Sequence, residues 1–199
     1  RSTLMRSSAA SDVYKRQEAK NGKLTIFFGY CAGVGKTFSM LNTAQQKSVE
    51  GVDVVIGYIE SHDRPDTQNL TYGLEKIPTK EVLYKGHHFS EFDLDKALDR
   101  HPQLILVDEL AHTNAPTSRH KKRYSDIEEL LRAGIDVYTT VNVQHIESLH
   151  DVVESITKVK VNERIPDYIF NDADDVKLID VDINLSLIHI SEPTRRTPI

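Results

Sequence analysis

Four apolar runs in the chain predict strands that are buried on both faces of a sheet. They span Leu24–Phe28, Val52–Ile59, Leu104–Glu109 and Ile135–Val143, the third ending in two carboxylates. A strand of a parallel sheet that is covered on both faces has a continuous run of apolar residues, whereas a strand with one face in solvent alternates apolar and polar residues. Helical patterns separate the runs. Strands that alternate with helices predict an α/β fold, in which a mostly parallel sheet has helices on both faces.

The segments between the runs carry the spacing of helices. Apolar residues that recur every three or four positions indicate a helix with one buried side. The helix after the first run carries Phe38, Leu41 and Ala44 on one side and ends near Gly51. The other predicted helices are Asn69–Glu75, Asp93–Arg100, one capped by Ser125 with Glu128 that carries Ile127, Leu130 and Leu131, and one marked by Ile146, Leu149, Val153 and Ile156. Short strands are predicted at Val82–Lys85, Val159–Val161 and Val176–Val181.

The two ends of the chain are related at the level of DNA. Asp12–Gln17 can be encoded as GAT GTG TAT AAG AGA CAG, and the reverse complement of that DNA encodes Leu-Ser-Leu-Ile-His-Ile, which is Leu185–Ile190. Such a pair indicates an inverted repeat and resembles a transposase adapter used in library preparation. We therefore interpret residues 1–17 and 185–199 as artefact and leave them out of the fold prediction. Residues 18–184 are the predicted domain, and we expect the gene to continue past Asn184.

Length and charge limit what this domain can be. The 167 residues from Glu18 to Asn184 suit one domain. The two ends carry six basic and two acidic residues, so that without them the formal net charge changes from −5 to −9, which argues against binding of nucleic acid. The single cysteine, Cys31, excludes an internal disulfide and fits a reducing compartment. No apolar run approaches the roughly 18–20 residues that span a bilayer.

A glycine-rich segment directly after the first apolar run carries the clearest chemistry. Its sequence, Gly-Tyr-Cys-Ala-Gly-Val-Gly-Lys-Thr, lies between a predicted strand and a predicted helix, as a phosphate-binding P-loop does. Glycines let backbone N–H groups face an anion, and the helix adds the positive end of its dipole. Lys36 would reach the β- and γ-phosphates of a nucleotide, and Thr37 would bind Mg²⁺. The predicted phosphate-binding residues are Gly29, Gly33, Val34, Gly35, Lys36 and Thr37. The fold prediction thereby narrows to a P-loop NTPase-like domain.

Tyr30 departs from the P-loop pattern. The pattern places a small residue at position 30, whereas Gly29 lies one residue too early. Either Gly29 takes the turn or the Tyr30 side chain points out of the loop. An ordinary strand–helix turn with incidental glycines is the alternative, but it leaves Lys36 and Thr37 directly after Gly35 unexplained.

Two carboxylates, Asp108 and Glu109, end the third run. Asp108 occupies the Walker B position, where a carboxylate holds Mg²⁺ together with a residue such as Thr37; otherwise it is an ordinary strand-end acid. Glu109 could orient or deprotonate an attacking water, as hydrolysis of ATP requires. Neighbouring residues of a strand point to opposite faces. Both carboxylates can therefore serve one site only if the strand ends at Asp108 and the chain turns there.

Two loops with charged residues leave alternatives open. Glu60, His62 and Arg64 follow the second run, and they face a nucleotide, a protein partner or solvent. The basic block Arg119–Arg123 could supply a cation to a γ-phosphate, dock an acidic partner or a membrane, or remain a solvated loop.

Polar residues also follow the fourth run, at Asn142, Gln144 and His145. A P-loop protein can place a polar sensor of the γ-phosphate at this position. Capping of the next helix by Asn142 is the competing explanation. Both interpretations stay open at this level.

Four segments taken together resemble a known family. They are Phe27–Thr37, Leu106–Pro116 (Leu-Val-Asp-Glu-Leu-Ala-His-Thr-Asn-Ala-Pro), Ser118–Arg123 and Asp136–His145 (Asp-Val-Tyr-Thr-Thr-Val-Asn-Val-Gln-His). They are similar to the amino-terminal cytoplasmic domain of KdpD, the bacterial sensor histidine kinase for potassium limitation and osmotic stress. The resemblance runs from about residue 22 to residue 182. The second and fourth segments are far more specific than a P-loop alone.

The resemblance implies an ATP-binding regulatory domain on the cytoplasmic side of a protein of the bacterial inner membrane. ATP and Mg²⁺ are the implied cofactors. The implied partners are the membrane-spanning and kinase domains beyond residue 184, a response regulator reached through them, and a second subunit. The family usually has Ala or Gly where this chain has Tyr30. The phosphate-accepting histidine would also lie beyond residue 184, so none of the nine histidines here is assigned that role.

Two other functions remain open. A free-standing ATPase or small-molecule kinase should show an acceptor pocket and a lid with arginines, for which Arg119–Arg123 is the candidate cluster. A protein-interaction module with a degenerate nucleotide site would bind neither ATP nor GTP. An Asn-Lys-x-Asp motif that reads guanine is absent from the sequence, and this favours ATP weakly.

Overall fold

The computed structural model describes residues 21–60, 65–84, 86–158 and 160–180. In these ranges the strands are β1 Leu24–Gly29, β2 Val54–Tyr58, β3 Glu75–Lys76, β4 Lys80–Tyr84, β5 His87–Glu91, β6 Leu104–Val107, β7 Asp136–Asn142 and β8 Asp175–Ile179. The α-helices are α1 Lys36–Val49, α2 Pro65–Asn69, α3 Leu94–Arg100, α4 Arg123–Arg132, α5 Glu147–Thr157 and α6 Asp167–Asn171, and a 3₁₀ helix spans Val143–His145. The predicted domain boundaries at residues 17 and 184 lie outside the described residues, as do His62 and Arg64.

Six of the described strands form one parallel sheet in the order β3-β2-β6-β7-β1-β8, while β4 and β5 form a separate antiparallel hairpin. Alternate residues of β6 enter two apolar clusters, because neighbouring strand residues point to opposite faces. Helix α1 covers one face with Met40, Leu41 and Ala44. Helices α3, α4 and α6 pack on the other. The predicted parallel α/β sheet with helices on both faces is confirmed.

The strand order brings the carboxyl ends of β1, β6 and β7 to one edge of the sheet. β7 lies between the other two, with Asn142 beside Gly29 and Tyr138 beside Leu106. Because the three strands are parallel, the loops that follow them leave the sheet at the same edge. The glycine-rich loop, the segment after β6 and the segment after β7 therefore meet.

The sequence prediction is wrong between β2 and α3. A helix is predicted at Asn69–Glu75, but α2 lies earlier and the segment after it forms the edge strand β3. Proline fits the first turn of a helix because its missing N–H is not needed there, so Pro65 begins α2 instead of marking a turn. The strand predicted at Val82–Lys85 is one half of the hairpin. Its partner β5, with the sequence His-His-Phe-Ser-Glu, lacks the apolar run that the prediction depends on.

The predicted start of α4 is also wrong. The helix begins at Arg123, two residues before Ser125, and its N-cap residue is Lys122 without a side-chain cap. Ile127 and Leu130 are buried as predicted. The earlier start has a tertiary cause, since the Arg123 side chain is fully buried by contacts that a local capping rule cannot see.

Four further expectations differ from the structure in detail. Phe38 is not a core residue: it is 46% exposed, and Met40 occupies the buried side of α1 in its place. Residues 160 and 161 are not in a strand, while Val159 lies outside the described residues. Helix α5 forms as predicted, but its apolar Ile156 is 72% exposed. β8 forms one residue earlier than predicted, and Val181 lies outside the described residues.

Candidate functional site

One cleft opens at the sheet edge where these loops meet, and we call it the edge cleft. It is lined by the glycine-rich loop, the ends of β2, β6 and β7, and the segment before α6. The residues around it are Ala32, Gly33, Gly35, Lys36, Thr37, Phe38, Glu60, Thr67, Asp108, Glu109, Ala111, His112, Thr140, Val141, Asn142, His145 and Glu163. The structure thus gathers most of the predicted site residues around one space.

The glycine-rich loop is bent by two glycines with left-handed backbones. Gly33 has φ 89° and Gly35 has φ 93°, a region that side-chain-bearing residues rarely adopt. Gly35 is the N-cap of α1, and the first amides of a helix have no intrahelical partner. The loop and helix start therefore offer N–H donors to an anion, as P-loops do.

Gly29 and Val34, two residues of the glycine-rich segment, are not among the residues that line the cleft. A Cβ atom on Gly29 would come within 2.7 Å of a Val34 methyl carbon and 2.8 Å of the Lys36 chain, so only glycine fits there. Tyr30 is 67% exposed and is not among the cleft residues. The structure therefore agrees with the second of the two predicted arrangements, in which the tyrosine points out of the loop.

Lys36 is the cation of the cleft. Its side chain is nearly buried, and its Nζ donates a hydrogen bond to the carbonyl of Cys31 at 2.8 Å. Burial lowers the pKa of Lys36, while the nearby carboxylate of Asp108 opposes that shift. An anion that entered the cleft would compensate for the desolvation of this charge.

Asp108 lies directly after the end of β6, almost fully buried, and holds three groups. One carboxylate oxygen accepts a hydrogen bond from Thr37 Oγ1 at 3.1 Å. The other accepts hydrogen bonds from the hydroxyl of Thr140 and from the backbone amide of Glu109, the latter at 3.1 Å. Thr140 is a residue that the sequence analysis missed, and the only signal for it is a hydroxyl near the end of a buried strand.

Glu109 reaches the same cleft because the chain turns after the strand. Its backbone has φ 61°, an unusual value for a residue with a side chain, and its amide donates to Asp108 and Thr140. The sequence analysis required the chain to turn at the end of this strand if Asp108 and Glu109 were to serve one site, and the structure shows this turn. Burial raises the pKa of Glu109, and the carboxylates of Glu60 and Asp108 add to this effect. The side chain nevertheless remains 44% exposed, which limits the shift.

The far wall of the cleft is formed by Asn142, His145 and Glu163. The Oδ1 atom of Asn142 is buried with no hydrogen-bond partner in the described residues. Asn142 is the N-cap residue of the 3₁₀ helix but makes no side-chain cap, so the capping explanation is wrong. The ring of His145 bonds the backbone oxygen of Glu163 at 2.8 Å. Gln144 is not among the cleft residues.

The basic block does not reach the cleft. Arg123 is fully buried behind Asp108: it donates to the Asp108 carbonyl at 3.1 Å and to the Glu91 carboxylate at 3.3 Å, and it lies 4.1 Å from the centroid of the Tyr58 ring. The solvated-loop interpretation is therefore wrong for this residue. Arg123 fixes the end of β6 and joins it to the β4–β5 hairpin through Glu91.

Glu91 also connects the hairpin to the cleft. Burial would raise the pKa of Glu91, but hydrogen bonds from His112 and Ala115 and the charge of Arg123 outweigh burial and leave that pKa lowered. His112 lies 3.3 Å from Glu91 on one side and 3.9 Å from Glu109 on the other. A polar chain thus runs from the buried arginine to the carboxylate in the cleft.

Three other residues of the block, Arg119, His120 and Lys122, also have partners within the protein. Arg119 pairs with Asp95 and Glu129, and His120 pairs with Glu129 at 2.7 Å. Lys122 donates to the hydroxyl of Thr113 at 2.7 Å. The contacts of Arg119 and His120 tie the loop to α3 and α4, and Lys122 ties it to the segment after β6.

Thr37 and Asp108 fit the requirements of Mg²⁺. Their oxygen atoms are 3.1 Å apart, close to the roughly 2.9 Å that separates adjacent oxygens around an octahedral Mg²⁺. No cluster of three His, Cys, Asp or Glu side chains that could hold a metal occurs in the described ranges. Mg²⁺ at nucleotide sites takes one or two protein oxygens and completes its shell with phosphate and water.

Comparison with known proteins agrees with the motifs. The family described as KdpD, osmosensitive K⁺ channel His kinase sensor domain, matches residues 20–190. The chain belongs to the KdpD family. It is 63% identical over 171 residues to the sensor protein KdpD of Clostridium acetobutylicum, which covers 85% of this chain and 19% of that protein. It is 59% identical over 160 residues to the sensor protein KdpD of Escherichia coli K12, which covers 80% of this chain and 18% of that protein.

The KdpD relatives are much longer than this chain. A putative sensor protein KdpD of Synechocystis is 49% identical over 173 residues, which covers 87% of this chain and 45% of that protein. The chain thus spans about a fifth of the first two relatives and less than half of the third. Across the parts of the chain that the structure describes, no helix has the length and apolar character needed to cross a membrane.

Proposed function

We propose that this KdpD-family domain binds ATP with Mg²⁺ in the edge cleft and serves as a regulatory input domain of a membrane sensor histidine kinase. One observation carries the nucleotide assignment: Lys36, Thr37 and Asp108 meet where the glycine-rich loop enters α1. A cation, a hydroxyl and a carboxylate at the start of a helix are the groups that a triphosphate and its metal need.

The roles of the residues follow from their places. Backbone amides between Gly33 and Thr37 would surround the phosphates, and Lys36 would leave the Cys31 carbonyl to pair with them. Thr37 and Asp108 would hold Mg²⁺, which supplies positive charge to the phosphate oxygens when it is bound. Thr140 keeps the carboxylate of Asp108 aimed at Thr37.

The setting in a larger protein is also part of the proposal. The relatives are named sensor proteins KdpD, and the family description is a sensor domain of a His kinase. We infer a two-component system for potassium limitation or osmotic stress, in which a dimeric parent in the bacterial inner membrane transfers phosphate to a response regulator. In this setting the edge cleft reports nucleotide to the kinase from the cytoplasmic side.

Isothermal titration of the chain with Mg-ATP tests the nucleotide site. We expect Lys36→Ala to weaken binding at least tenfold, because one charge-assisted contact is worth about 1.5–3 kcal/mol. Lys47→Ala is the matched control, since this lysine lies at the other end of α1 and pairs with Glu50 at the surface. Equal affinity of the wild type and both variants, with intact circular dichroism spectra, would contradict the proposal.

A further inference from the structure

Phe38 lines the edge cleft but has no part in the proposed phosphate chemistry. It follows Thr37 in the first turn of α1 and is 46% exposed, although Met40 and Leu41 on the same helix are fully buried. It is the one Phe, Tyr or Trp among the described residues that line the cleft. An isolated exposed apolar residue is ordinary on a surface. An exposed aromatic ring in the wall of a ligand cleft is a different case, because ligand sites combine such rings with a few polar groups.

The walls of the cleft at the ends of β2 and β6 are charged rather than apolar. The ends of β2 and β6 contribute the carboxylates of Glu60 and Glu109, and His112 stands beside Glu109. These groups serve charge and proton chemistry and offer little apolar surface. Phe38 comes from α1 instead, one residue beyond Thr37. A nucleotide whose phosphates lie against the start of α1 therefore has an aromatic surface within the same helical turn.

We propose that Phe38 is the platform on which the base of the bound nucleotide stacks. This proposal rests on the proposed function, because it extends the same site from the phosphates to the base. Stacking of a base on an aromatic side chain typically changes affinity by about fivefold to more than a hundredfold, and it tolerates different bases because each has a π-face. The site should accordingly bind ATP more tightly than an inorganic triphosphate.

Titrations with two ligands separate the base from the phosphates. Mg-ATP and magnesium tripolyphosphate would be titrated into the wild type and into Phe38→Ala, Phe38→Leu and Phe38→Tyr. We expect Phe38→Ala to weaken ATP about tenfold and to leave tripolyphosphate unchanged. Phe38→Tyr should keep the affinity for ATP because it keeps the ring, whereas Phe38→Leu should lose it although it stays apolar.

Two control variants define the reference. Tyr30→Ala removes an exposed aromatic residue that does not line the cleft, and it should affect neither ligand. Lys36→Ala should weaken both ligands, because both carry phosphates. Since Phe38 is partly exposed, its variants should unfold at about the temperature of the wild type. Measurement of the unfolding temperatures tests whether misfolding causes a loss of affinity.

The outcomes distinguish this inference from the proposed function. Binding of both ligands by the wild type, with no effect of Phe38→Ala on ATP or with equal loss for both ligands, overturns the stacking role alone. Binding of neither ligand by the wild type overturns the nucleotide site and the stacking role together. Selective loss of ATP in Phe38→Ala and Phe38→Leu, with retention in Phe38→Tyr, supports the inference.

Discussion

Lys36 and Arg123 are both basic residues close to Asp108, yet their surroundings differ. Lys36 lies in the wall of the edge cleft, where its Nζ contacts a single loop carbonyl. Arg123 lies behind the cleft and is fully buried, with its guanidinium shared between a carbonyl, a carboxylate and an aromatic ring. Lys36 can exchange the loop carbonyl for a ligand, whereas every partner of the Arg123 guanidinium named above belongs to the protein. Proximity of a cation to a candidate site therefore says little until its partners are known.

Of the substitutions that test this comparison, Arg123→Leu should have the largest effect, which is a loss of stability. Removal of the guanidinium leaves the buried carboxylate of Glu91 without its cation, and breaking a buried ion pair in this way costs about 3–5 kcal/mol of the free energy of unfolding. Urea denaturation measures the loss. Arg132→Leu, an exposed position at the end of the same helix, is the control.

The double variant Arg123→Leu/Glu91→Leu tests the cause. If the unpaired carboxylate dominates the loss, the second substitution should recover part of the stability. A loss below about 1 kcal/mol for Arg123→Leu alone would mean that this arginine is not the structural anchor that its burial indicates.

Glu109→Gln addresses the other side of the comparison, the cleft itself. If the domain hydrolyses ATP, this variant should reduce turnover about 100-fold, because it removes the base that positions and deprotonates water. The affinity for Mg-ATP should change little, since Glu109 is not among the phosphate-binding groups. Phosphate release and titration measure the two quantities, with Glu81→Gln on the exposed hairpin strand as the control. Unchanged turnover would remove Glu109 from the chemistry.

The same contrast explains what the sequence can predict. The glycine-rich loop and the Asp108-Glu109 pair are local patterns that follow apolar runs, and these patterns suffice to place them at one sheet edge. The role of Arg123 depends on Glu91, which lies 32 residues away on a strand that the prediction missed. A capping rule at Ser125 could not compete with such a contact. Phe38 shows a second limit of sequence prediction. The spacing of apolar residues identifies one face of a helix, but it cannot tell whether that face packs in the core or lines a cleft.

Asp126→Asn probes the buried region through pH. Burial raises the pKa of Asp126 to about 6, although a hydrogen bond from Asn114 at 2.6 Å opposes the shift. An unfolded aspartate titrates near 3.9. Ionising Asp126 therefore destabilises the folded state as pH rises from about 4 to 6, and the penalty stays constant above that range.

The variant should accordingly be more stable than the wild type at pH 7.5, by about 2 kcal/mol, and the difference should shrink towards pH 4. Urea denaturation of the two proteins at several pH values measures this difference, and titrating groups that both proteins share contribute equally to each stability. A difference that does not depend on pH would show that Asp126 is ionised throughout, with its charge stabilised by neighbours.

Arg119→Ala should have the smallest effect on stability, and it adds an exposed basic residue to the comparison of Lys36 with Arg123. Arg119 pairs with Asp95 and Glu129 at the surface, with its side chain 46% exposed, and exposed ion pairs contribute about 0–1 kcal/mol. The small loss of stability should shrink further in high salt, because salt screens exposed charges. Binding and turnover of ATP should not change, since this arginine does not line the cleft. A tenfold fall in turnover with unchanged stability would instead show that the loop moves and brings Arg119 to the γ-phosphate. Arg119 would then be, like Lys36, a cation that exchanges a protein partner for a ligand.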